Sequence, residues 1–206
     1  MSNLRRCMTR EVVLVAILAS FTLRAIAQIS LTPKPIDDTE SYAVYAALLP
    51  SQWTVRVARA KILVFQQETT TYPRCMPSGT PPEVGWREVI ESFRAENAEG
   101  RVILPGYDLG LPYVVVASAD VQATFREVPN DPMLGWSGFY KRYPDSGGFM
   151  QVSAVGFDTA RARAMVYMAH SCGGLCGGGT YHFLQKIDGV WREVKVQGMT
   201  SCMWVS

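Results

Sequence analysis

The sequence predicts an α+β fold, and three observations predict it. Apolar residues recur at helical spacing in the first half, at Tyr42, Tyr45, Leu48 and Leu49 and again at Trp86, Val89, Ile90 and Phe93. From Gly147 onward the pattern changes to runs rich in β-branched and aromatic residues. Two of those runs flank Asp188-Gly189, a pair that supplies the positive φ of a type I′ hairpin turn. The expected architecture is a C-terminal antiparallel meander of about four strands, packed with two or three helices from the N-terminal half.

The first helix is expected over roughly 38–49, opened by the capping box Asp37-x-x-Glu40 and ended by Pro50. Residues 53–66 are rich in β-branched and apolar types, with Lys61–Phe65 as the strand core, and 67–79 read as a loop. Thr80-x-x-Glu83 is a second capping box, with Pro81 where its missing N–H costs nothing; Gly100 marks the stop. Leu111–Ser118 reads as a strand, and Gly135–Tyr143 as a short helix halted by Pro144. Strands follow at about 149–157 and 162–170. The Asp-Gly turn then pairs Ile187 with Val190, Gln185 with Arg192, Phe183 with Val194 and Tyr181 with Val196, on a mostly apolar face. The opposite face pairs Lys186 with Trp191, Leu184 with Glu193 and His182 with Lys195, and reads as half-solvated. A one-residue slip would scramble both faces, so the register is strongly specified.

The chain has 206 residues, 48% apolar and 18% charged, enough for one folded core. Arg5, Arg6 and Arg10 precede the apolar run Val12–Leu23, and Ala25 and Ala27 form a small-x-small site. These are the parts of a secretory signal, so residues 1–27 are expected to be removed after Ala27. The run is too short before Arg24 to span a bilayer, which needs ~20 apolar residues, so no stable membrane anchor is expected after cleavage. Residues 28–36 are a lead-in, 37–206 a single domain, and the location periplasmic or secreted. Losing four Arg and one Glu takes 20 basic residues to 16 and 18 acidic to 17. A net charge of +2 becomes −1, which leaves no basic surface for nucleic acid.

Cleavage also removes Cys7, leaving Cys75, Cys172, Cys176 and Cys202, an even set that favours disulfides in an oxidising compartment. Two of the four lie in His170-Ser-Cys172-Gly-Gly-Leu-Cys176-Gly-Gly-Gly-Thr-Tyr-His182, which also holds both histidines. Four readings of this segment compete. In the first, Cys172 pairs with Cys176 across a Gly-rich connection, and Cys75 pairs with Cys202. The second is a zinc or copper site of His170, Cys172, Cys176 and His182, against which strand parity counts. The third is a reactive thiol with His170 or His182 as base, although the spacing is Cys-x-x-x-Cys and no βαβ pattern surrounds it. The fourth is an anion nest of glycine amides.

The pattern Trp136-x-x-Phe139-Tyr140-x-x-Tyr143-Pro144, Ser153-x-Val155-Gly156-Phe157, Cys172-Gly-x-Leu-Cys176-Gly-x-Gly-x-Tyr181, Leu184-x-Lys186 and Gly189-x-Trp191 resembles a family of exported bacterial proteins of uncharacterised function. The resemblance covers roughly 136–206, and Cys75 and Cys202 are additions to its pattern. It implies no activity, so it carries over no catalytic residue. No paired carboxylates, Ser/His/Asp set or cofactor fingerprint stands out, and no cofactor is expected. The leading expectation is a non-catalytic exported binding or structural domain with a shaped Gly/Cys loop and an unidentified partner. The alternatives are a thiol-dependent or hydrolytic enzyme centred on Cys172, Cys176 and His170, and an envelope metal-handling protein.

Overall fold

A mixed eight-stranded sheet carries helices on both of its faces. The computed structural model of the chain describes residues 33–56, 60–71, 76–126 and 131–206. The expected export signal, residues 1–27 with Cys7, and Cys75 lie outside the described residues. In chain order the elements are β1 (Lys34–Ile36), α1 (Thr39–Arg56), β2 (Ile62–Gln66), β3 (Ser78–Gly79), α2 (Val84–Glu96), β4 (Arg101–Ile103), β5 (Tyr113–Val116) and α3 (Ser118–Arg126). Then come α4 (Pro132–Arg142), β6 (Ser146–Val152), β7 (Gly156–Phe157), β8 (Arg163–Gly173), β9 (Cys176–Ile187), β10 (Val190–Val194), β11 (Met199–Thr200) and β12 (Met203–Val205). The class is α+β, as the sequence predicts.

Strands β6, β8, β9 and β10 run antiparallel in that order, and the β9–β10 ladder has the expected register from Ile187↔Val190 to Phe183↔Val194. Asp188 and Gly189 both have positive φ, at 51° and 79°, as a type I′ turn requires. The meander does not stand alone. Its inner edge, β6, continues in parallel to β2 and then β5, so the sheet is mixed. At the far side β12 extends the edge along Gly178–Thr180 of β9. The lead-in also differs from expectation, since Lys34–Ile36 pairs in parallel with β4.

Helix α1 covers one face. Its Tyr42, Tyr45, Leu48 and Leu49 are buried in one cluster with Leu63, Phe65, Met150, Val152, Val166, Met168, Leu184 and Trp191. On the other face, Trp86, Val89 and Phe93 of α2 pack on Met165, Tyr167, Tyr181 and Phe183. Beside them Val121, Trp136 and Phe139 of α3 and α4 cover Val64 and Phe149. Strand β8 is therefore buried without a break from Ala164 to His170, on both faces at once. Each large side chain there contributes roughly 1.5–3 kcal/mol by leaving water.

On the face expected to be half-solvated, Glu193 and Lys195 are exposed and Lys186 is partly so. His182, Leu184 and Trp191 are all buried, at 3%, 0% and 6% exposure. Glu40, at the start of α1, accepts hydrogen bonds from Trp191 Nε1 and Lys186 Nζ, which clamps the helix over that face. Burial pushes the Glu40 carboxyl up, but these two bonds outweigh it and hold it below its usual value. Asp38, Glu68 and Glu193 are held low in the same sense, with burial opposing all three. A carboxyl lowered by folding adds stability that is complete above its unfolded value, near 4, and is lost as pH falls through its folded value. Acid unfolding monitored by circular dichroism should therefore set in below about pH 4, and Glu40→Gln should flatten that decline.

The caps differ from expectation by a residue or more. Asp38, not Asp37, opens α1, accepting from Glu40 N at 3.2 Å and from Ser41 Oγ at 3.0 Å. Thr80 caps nothing; Glu83 is the residue before α2 and makes no side-chain cap bond. Helix α1 also runs past Pro50 to Arg56, because Leu48 and Leu49 are pinned in the core just before it, although proline removes one N–H bond there. Helix α4 starts earlier than expected, where Asp131 accepts from Met133 N and Leu134 N with Pro132 in the first turn. Helix α3 replaces the end of the predicted 111–118 strand, its Ser118 N held by Glu68 Oε2 at 2.7 Å.

Candidate functional site

A cavity of about 800 Å³ opens among the described residues at the end of the sheet where β6 finishes and β8 begins. Three separate segments meet there. Helix α2 turns its apolar stripe of Trp86, Val89 and Phe93 to the sheet, so the neighbouring stripe of Glu88, Glu91, Ser92 and Glu96 faces the cleft. The stretch from Lys34 to Asp38 supplies the opposite wall. The third segment runs from Ala154 to Arg161. Its floor is apolar, with Ile36, Ala154 and Val155 buried and Phe157 half-buried.

Six carboxylates and three cations line the cleft: Asp37, Asp38, Glu88, Glu91, Glu96 and Asp158 against Lys34, Arg101 and Arg161. Several are structural. Asp158 is buried and accepts from Ala162 N, Arg163 N and Arg163 Nη1. Glu96 pairs with Arg101 at 2.8 Å, Glu88 accepts from Thr159 N at 3.0 Å, and Asp38 pairs with Arg161, whose guanidinium lies 4.1 Å from the centre of the Phe157 ring. Burial raises the Asp38 carboxyl, but the bonds from Arg161 and Ser41 hold it below its usual value. Among the described residues Lys34, Asp37 and Glu91 join no ion pair. The net field is negative. Ser41 Oγ donates to Asp38, Ser92 Oγ accepts from Phe157 N, and neither histidine nor cysteine is among the described residues that line the cleft.

The Gly/Cys segment lies at the other end of β8. It forms the β8–β9 hairpin, in which Gly173 pairs with Cys176 and Gly174-Leu175 make the turn. Cys172 and Cys176 are at disulfide distance, with Cα atoms 5.0 Å apart. As a disulfide they hold no thiolate for metal binding or nucleophilic attack. Cys202 is disulfide-bonded; its expected partner, Cys75, lies outside the described residues. So short a loop returns only about 2 kcal/mol in the chain-entropy model. Cys172→Ser with Cys176→Ser should cost about that much or less in urea denaturation.

The two histidines lie on the same face, which corrects the parity argument: His182 pairs with Val166, and Val166, Met168 and His170 alternate along one side of β8. They stand two side-chain rows apart, roughly 13 Å along the strands. His170 Nε2 donates to Gly147 O at 2.8 Å, and His182 Nδ1 bonds Glu193 Oε1 at 2.6 Å. No single ion can join the set of His170, Cys172, Cys176 and His182 in this arrangement. Among the described residues no three of His, Cys, Asp and Glu come together as a metal cluster, and no helix is long and apolar enough to cross a membrane.

Sequence reasoning missed the cleft entirely. The only signal for it was the acidic spacing Glu88, Glu91, Glu96 beside the apolar stripe of α2. No family model, curated protein or solved structure matches the chain, so the reading of its function rests on the residues and their geometry.

Proposed function

We propose that the protein is an exported, non-catalytic binding domain, cleaved after Ala27, whose ligand occupies the acid-rich cleft. The observation that carries this reading is the cleft's composition. A negative wall with unpaired Asp37 and Glu91 stands over an apolar floor of Ile36, Ala154, Val155 and Phe157. Such a site suits a cation on an apolar stem, an amine or guanidinium, because the charge meets carboxylates while the stem replaces water on the floor.

The experiment is an amide NMR titration of the mature protein with N-acetyl-arginine methylamide, and with N-acetyl-glutamate as control. The arginine derivative should shift cleft resonances, weaken as salt rises, and bind about two- to fivefold more weakly to Glu91→Gln, as an exposed pair worth up to ~1 kcal/mol implies. Equal shifts with the anionic control, or no cleft shifts with the cation, would sink the reading.

A further inference from the structure

We propose that a second, smaller cavity binds a soft monovalent metal ion, Cu(I) or Ag(I), through His182 Nε2 and the thioether sulfurs of Met168 and Met203. The inference does not depend on the acid-rich cleft, which lies at the other end of β8. The cavity measures about 50 Å³. That is room for an ion with a water, since one water needs ~10–15 Å³ of such space, and too little for an organic ligand. Its wall is unusually rich in sulfur and imidazole: Met150, Met168, His170, His182 and Met203 all line it, and no carboxylate does.

Sheet register brings the three ligands together. Met168, Thr180 and Met203 lie in one row across β8, β9 and β12, and His182 occupies the next row on the same face. Strand spacing and rise place their Cα atoms about 8–10 Å apart, within the joint reach of two methionines and a histidine. Gly178, in the row beyond, contributes no side chain to fill the space. Met168 and His182 are each 3% exposed, whereas Met203 is 69% exposed. Two donors are thus fixed in the core, and the third stands at the mouth where an ion would enter.

The orientation of His182 is set by its neighbour. Glu193 Oε1 lies 2.6 Å from His182 Nδ1 and engages that ring nitrogen. That contact leaves Nε2 as the ring nitrogen for an ion. A carboxylate behind one ring nitrogen is the arrangement that orients histidines which ligate metals through the other. Thioethers with an imidazole select Cu(I) over zinc, calcium or magnesium. In a compartment that oxidises cysteines, they are also the soft donors that stay available.

The test uses mature protein with no free thiol by Ellman titration, carrying ¹³C-methyl methionine, and Ag(I) as the probe. One equivalent should shift the methyl signals of Met168 and Met203 and leave exposed Met133 in place. In competition with a colorimetric Cu(I) chelator, Met168→Leu and Met203→Leu should each weaken binding tenfold or more, and Met133→Leu should not. Leucine is close in volume to methionine, and Met203 is exposed, so both variants keep the fold. Absence of methyl shifts at one equivalent, shifts centred on other methionines, or unchanged affinity in the double variant would overturn the proposal.

Discussion

Gly148→Ala is expected to be the most damaging single-methyl change in the described core, with a loss of about 3 kcal/mol or more in chemical denaturation. Two costs coincide at this position. Its φ of 102° lies in a region that side chains rarely adopt. A Cβ there would also meet backbone, 2.8 Å from Cys172 Cα and 2.9 Å from the Ser171 carbonyl carbon. The neighbour cannot swing away as a side chain could. Gly148 lies where β6 carries an extra residue against β2, between the Ile62↔Ser146 and Val64↔Phe149 pairs. The same stretch presents Gly147 O to His170. The alanine variant should therefore loosen the disulfide hairpin along with the β2–β6 junction. Hydrogen exchange should rise first at Phe149 and Ser171.

Asn97→Ala is expected to cost about 3 kcal/mol, from a buried amide that satisfies three backbone groups. Asn97 follows the last residue of α2 and is 7% exposed. Its Nδ2 donates to Phe93 O at 2.8 Å and Ala154 O at 3.1 Å, and its Oδ1 accepts from Ala154 N at 2.8 Å. Alanine would leave Ala154 N unpaired, at ~1–3 kcal/mol for a buried group, and would strip Ala154 O of one of its two donors, the other being Ser153 Oγ. Asn97→Asp should also destabilise, because a carboxylate can accept from Ala154 N but repels the two carbonyl oxygens. Ala154 is part of the cleft floor, so ligand binding should weaken in both variants along with stability. Thermal melts paired with the arginine-derivative titration check the two effects together.

How far the sequence disclosed this fold depended on how local each determinant was. The β9–β10 register was legible because Asp188-Gly189 admits one turn type, and because a slip would expose Phe183. Helix α2 was legible from Trp86, Val89 and Phe93 alone. Helix α3 was not, since only Val121 is buried in it and its first N–H is satisfied by Glu68, fifty residues away. The parallel pairing of β2 with β5 and β6 has no local signature at all; it follows from α1 and α3–α4 covering opposite faces. For the cleft, residues 34–38, 88–101 and 154–161 carry no shared motif, and only the tertiary fold brings them together. The Cys172 and Cys176 pairing was legible from spacing, glycines and the expected compartment. The shared face of His170 and His182 was hidden because it depends on the register shift between Ser171 and Gly173.

The central claim is an exported domain shaped by disulfides, and it is tested most directly by intact mass and non-reducing peptide mapping. The full chain would be expressed in a bacterial host and recovered from the envelope or medium. The account predicts an N-terminus at Gln28, a mass four hydrogens below that of the fully reduced mature chain, and two linkages, Cys172 to Cys176 and Cys75 to Cys202. Recovery of the chain from the cytoplasm with its first 27 residues intact and its cysteines free would contradict it.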